Sequence, residues 1–86
     1  MRDPRTATGF DWNDANEEKL AARFVTPDQV ERIFENEPRI LRNKRGRAGL
    51  WLMIGQDPVS GRRLKVPIYW QDEELGILRA VTAFDA

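Results

Sequence analysis

The sequence predicts an α+β fold, with two N-terminal helices packed on one face of an antiparallel four-stranded sheet. Three observations predict it: two helix start signals before residue 30, a change of apolar period from helical to alternating at Arg39, and turn residues recurring afterwards at strand-like spacing. At 86 residues the chain holds one domain and one core.

Residues 1–11 show no periodic apolar pattern and are expected to form a flexible N-terminal arm, anchored at its end by Phe10 and Trp12, with a single domain over 12–86. Asp14-Ala15-Asn16-Glu17 fits a capping box, and Leu20 and Phe24 fall one turn apart, so the first helix is expected over about 14–24. Thr26-Pro27-Asp28-Gln29 starts the second: a hydroxyl N-cap, a proline where its missing donor is harmless, and an acid at the positive end of the helix dipole. Val30, Ile33 and Phe34 form its buried stripe, and Asn36 followed by Pro38 stops it. Ile40 and Leu41 then lie in a short strand closed by Asn43-Lys44-Arg45-Gly46, and Leu50 to Ile54 form a second, with Trp51 and Met53 opposite Leu50, Leu52 and Ile54. In the third strand Leu64, Val66, Ile68 and Trp70 take the core face and Arg63, Lys65 and Tyr69 the other. Pro67 lacks a ladder donor, which predicts a bulge there. Ile77 to Phe84 form a last strand, apolar on both faces.

The chain is 41% apolar and 33% charged, with neither cysteine nor histidine. That composition excludes disulfides, thiol nucleophiles, the usual zinc sites and imidazole acid–base chemistry. No apolar run reaches the roughly 20 residues of a membrane span and no secretory signal opens the chain, so a cytoplasmic protein is expected. The formal charge is zero, yet residues 11–37 carry eight acids against three bases, and residues 39–65 carry eight bases against Asp57 alone. Such a division supports a local field able to attract an anionic partner.

The order of motifs carries more. Trp12-Asn13 opens the first helix, Val25-Thr26 precedes a helix with Ile33-Phe34, Gly61-Arg62-x-Leu64-x-Val66 enters a strand, and Gly76 leads to Arg79-Ala80-Val81-Thr82-Ala83. From Trp12 onward this order resembles the BrnT family of type II toxins. The resemblance implies a RelE-like fold, metal-independent mRNA endoribonuclease activity without a cofactor, RNA as substrate and neutralisation by a cognate antitoxin. Two departures fall on chemistry. Ala22-Arg23-Phe24-Val25 stands where the family commonly has Lys-His-Gly-Val, and Phe84 stands where it usually has a base.

Cleaving RNA through its 2′-hydroxyl needs a proton acceptor, a proton donor and positive charge at the phosphorane. Arg79, with Arg62 or Arg63, suits the charge, because guanidinium binds phosphate oxygens bidentately. Lys65 adds a phosphate contact, and Tyr69, Lys65 or Glu74 are the candidates for proton transfer. The bland alternative is that these are solvated sheet-face charges, although a lone arginine between Leu78 and Ala80 calls for a specific partner. Arg39, Arg42, Lys44, Arg45 and Arg47 form a second set, able to track an RNA backbone, to dock the antitoxin, or simply to be solvated. Trp51, Met53 and Tyr69 either stack on bases or belong to the core or an interface. Asp72, Glu73 and Glu74 diverge at a turn, and no metal is assigned. Two function classes follow: an RNA-cleaving toxin, or a catalytically inactive relative that binds protein or nucleic acid.

Overall fold

The computed structural model describes residues 1–44 and 50–86. A 3-10 turn at Pro4–Thr6 is followed by β1 (Gly9–Phe10), α1 (Asp14–Ala21), α2 (Pro27–Glu35), β2 (Arg39–Arg42), β3 (Trp51–Gln56), β4 (Arg63–Asp72), β5 (Ile77–Ala80) and β6 (Phe84–Asp85). α2 starts as its sequence dictates. The Thr26 hydroxyl accepts from the Gln29 amide at 3.2 Å and the Gln29 side chain accepts from the Thr26 amide at 2.9 Å, a reciprocal box with Pro27 in the first turn. α1 starts one residue earlier than its expected box. Asn13 is the N-cap, its side chain accepting from the Asn16 amide at 2.9 Å, and the helix ends at Ala21 rather than 24.

The sheet is mixed and six-stranded, in the order β1-β5-β4-β3-β2 with β6 also on β4, which corrects the expected four antiparallel strands. In place of a loose arm over residues 1–11, the chain adds β1 parallel to β5, Gly9 beside Ile77 and Phe10 beside Leu78. Where β1 ends, Asn16 of α1 continues the edge by donating from its side-chain amide to the Ala80 carbonyl at 3.0 Å. Before β1, the Trp70 indole donates to the Arg2 carbonyl, Arg2 donates to the Glu73 carbonyl, and Arg5 donates to the Ile40 carbonyl. Pro4 is fully buried, so the opening residues are held against β2 and β4.

The expected last strand divides at Ala80, and the cause is Pro67. Pro67 pairs regularly with Leu52, so β4 itself has no bulge there. Its main-chain groups point instead to the last strand, where the Val81 amide donates to the Pro67 carbonyl and no amide is returned. From Lys65 to Ile68 β4 advances three residues while its partner covers four, from Phe84 back to Ala80. The extra residue sits opposite the proline rather than on it. A second register shift separates Trp70 and Asp72.

One buried cluster joins Leu20, Val25, Val30 and Ile33 to Ile40, Met53, Leu64, Val66, Ile68, Leu78, Ala80 and Ala83. By strand alternation and register, the members from β2 to β5 share one sheet face. The core face of β4 is the expected one. On β3, Met53 is fully buried and Trp51 packs against the core, so the pair read as a possible stacking platform belongs to the interior. Phe10 stacks on Trp12 and meets Phe34 edge-on at 5.4 Å, and the Trp12 indole donates to Glu31, which ties the start of the domain to α2. No helix among the described residues is long and apolar enough to cross a membrane.

Candidate functional site

The sheet face opposite the core is built by the alternate residues of the same strands. Cross-strand register arranges them in rows. Leu41, Leu52 and Pro67 form an apolar row, with Leu41 exposed and the other two half-buried. Beside it run Arg39, Ile54 and Lys65, both cations being exposed. On its other side Tyr69 faces Arg79.

Arg79 has the specific partner that its apolar strand called for. Its guanidinium makes an ion pair with Asp11, which is positioned by its own amide donating to the Leu78 carbonyl at 2.8 Å just after β1. Arg79 Nε is buried without a hydrogen-bond partner among the described residues. The Arg79 pKa is pushed up, first by the bond to Asp11 and then by the neighbouring Tyr69 side chain. Its charge is thus permanent and already largely compensated.

The other residues expected to converge on a phosphate do not gather around it. Arg62 is committed elsewhere: it donates to Asp85 at 3.0 Å, to the Phe24 carbonyl at 2.7 Å and to the Arg23 carbonyl at 2.9 Å, fastening the end of α1 to β6. Lys65 is on the Tyr69 face, but four residues away along β4, about 13 Å at the rise of an extended strand. Arg63 is exposed still farther along, opposite Gln56. Glu74 lies in the exposed turn after β4, its carbonyl accepting from Arg2. Of the second basic set, Arg39 belongs to the face described above. Arg42 lies over the Trp51 ring at 5.1 Å, and Lys44 is exposed in a turn. Arg45 and Arg47, with Gly46 of the expected turn, lie outside the described residues.

Sequence reasoning missed two partners. Asp11 falls at the end of the expected arm, and nothing local marks a residue 68 positions from Arg79 as its counter-ion. Asp57, fully buried, binds Arg32 through both oxygens at 2.8 and 3.0 Å and accepts from Ser60 and the Val59 amide. The bond from Arg32, reinforced by Ser60 and Val59 against the opposing effect of burial, holds the Asp57 carboxyl well below the usual carboxylate range. The Asp-Pro-Val-Ser-Gly turn was a visible signal of the local bonds, though not of Arg32.

The charge division along the chain carries into the fold only in part: Arg39, Arg63 and Lys65 lie on the face opposite the core, but Arg42 stacks over Trp51, Arg62 binds carbonyls after α1, and the acid Asp11 pairs with Arg79. In comparison with known proteins, the chain matches no family model, no curated sequence and no solved structure.

Proposed function

We propose that this chain is a non-catalytic binding module of BrnT-like, RelE-like type, with the helices covering one side of the sheet and the other side docking a protein partner. The partner, in the role of a cognate antitoxin, presents an apolar segment edged by acids. One observation carries the reading: the apolar row of Leu41, Leu52 and Pro67 is bordered by Arg39 and Lys65, whereas Arg79 and Arg62 already have intramolecular partners. Apolar area at the centre and cations at the rim are the usual anatomy of a protein interface. Nucleic acid is supported less, because Trp51, one of the aromatics expected to stack on bases, packs against the core instead.

The test is co-purification and calorimetry with the product of the neighbouring reading frame, using the wild-type chain, Leu52→Glu and Lys65→Glu. Both substitutions are expected to weaken the complex while leaving the circular dichroism native. Undiminished affinity in Leu52→Glu refutes the reading.

A second reading, an RNA-cleaving toxin, is favoured by the juxtaposition of the Tyr69 phenol and the Arg79 guanidinium. It predicts RNA loss and growth arrest on induction, abolished by Arg79→Ala in a folded protein. Intact RNA with the wild-type chain removes it.

A further inference from the structure

The turn that closes α1 contains an energetic anomaly. The Phe24 amide donates to the Ala21 carbonyl at 2.9 Å and the Val25 amide to the Leu20 carbonyl at 3.0 Å, which reverses the chain with Phe24 at φ 58°. This left-handed position is normally given to glycine or asparagine, because a bulky side chain is crowded there. Arg62 locks the reversal by binding the Arg23 and Phe24 carbonyls. The ring is almost unburied within the chain: Phe24 is 87% exposed, the highest value among the large apolar residues described. Backbone and hydration both disfavour phenylalanine here.

Phe24 stands at the border of a cleft of about 360 Å³ lined by Ala22, Arg23, Phe84 and Asp85, among others. Arg23 lies over the Phe84 ring at 5.1 Å, and Asp85, paired through one oxygen with Arg62 at 3.0 Å, keeps its side chain 77% exposed. A projection and a hollow within one patch, with both signs of charge beside them, is what a two-fold axis makes complementary to itself. We propose that Phe24 is the anchor of a homodimer: each copy seats its ring in the other's cleft, and Arg23 of each approaches Asp85 of the other. A heterologous partner would have no need of a patch matched to itself in both shape and charge. The proposal is independent of the sheet-face reading.

Sedimentation equilibrium of the full chain, from micromolar to millimolar, tests it. The wild type should pass from monomer to dimer. Phe24→Gly relieves the left-handed conformation, so it should melt no lower than the wild type while its association weakens roughly 30-fold or more, the effect of an interface anchor. Ala22→Arg, compatible with a helix C-terminus, should obstruct the cleft and also give monomer. Leu75→Ser, at an exposed residue of another turn, should leave the dimer intact. A wild type that stays monomeric, a Phe24→Gly variant that associates normally, or equal loss in Leu75→Ser overturns the proposal.

Discussion

At Gly55 of β3 the Ile33 side chain of α2 lies close against the sheet, and Gly55→Ala tests how that contact is built. A Cβ there would lie 2.9 Å from Ile33 Cγ2 and 3.1 Å from Pro38 Cβ. Carbon contacts are most favourable at about 3.5–4.0 Å, so the new methyl is too close on two sides. Neither neighbour yields easily. Ile33 is fully buried and its Cγ2 is attached to the branched carbon, so it moves only by rotating χ1, and Pro38 is a ring. Relief therefore requires shifting α2 and the residues after it away from β3. Alanine for glycine would by itself stabilise by about 0.4–1 kcal/mol through the unfolded chain, whereas overpacking costs about 1–3 kcal/mol. The clash wins, for a net loss of about 1–2 kcal/mol. At roughly 4–8 °C per kcal/mol for a domain of this size, thermal and urea unfolding followed by circular dichroism should resolve it, with an unchanged urea slope. Ile33→Ala alone should cost about 2–5 kcal/mol, and the double variant less than the sum, since removing Cγ2 makes room for the methyl. A Gly55→Ala protein as stable as the wild type, or additive effects in the double variant, would refute this account of the helix–sheet contact.

Thr26→Ala removes one half of the box at the start of α2 and should destabilise by about 1 kcal/mol, read as a lower urea midpoint, while Thr26→Ser should restore most of it. Asp57 predicts a pH dependence. Its folded-state pKa is depressed, so its contribution is complete above the ordinary carboxylate value of about 3.9 and is lost as pH falls through the folded value. Asp57→Asn should therefore be less stable than the wild type at neutral pH, and the gap should narrow on titration from about pH 5 to pH 2. A gap that stays constant over that range would exclude the Arg32 pairing as its source.

Much of the local structure was legible because its causes are local. The Thr26 cap, the stripe of α2 and the alternation of β4 depend on neighbours a few residues apart, and each takes the expected form. Pro67 announced an irregularity correctly but not its location, since a missing donor affects the partner strand as much as its own. The faces of β3 were ambiguous because Leu52 and Ile54 are as apolar as Met53, and only contact with the rest of the core settles which side is buried. The candidate site was half legible: Arg63, Lys65 and Tyr69 share a face as their alternation requires, but Arg79 joins them only through its register with Tyr69, and Arg62, just before β4, binds carbonyls after α1.

What the sequence determined unaided is the order of two helices followed by strands, the cap of α2 and the division of charge along the chain, all of which follow from hydrogen bonds and periodicities within a turn or two. Only the tertiary structure decided that the opening residues join the sheet, that Asp11 neutralises Arg79 and that Phe24 projects unburied. Each of these depends on which distant segments meet. A parallel pair such as Gly9 with Ile77 has no signature in either segment until the intervening chain brings their edges together.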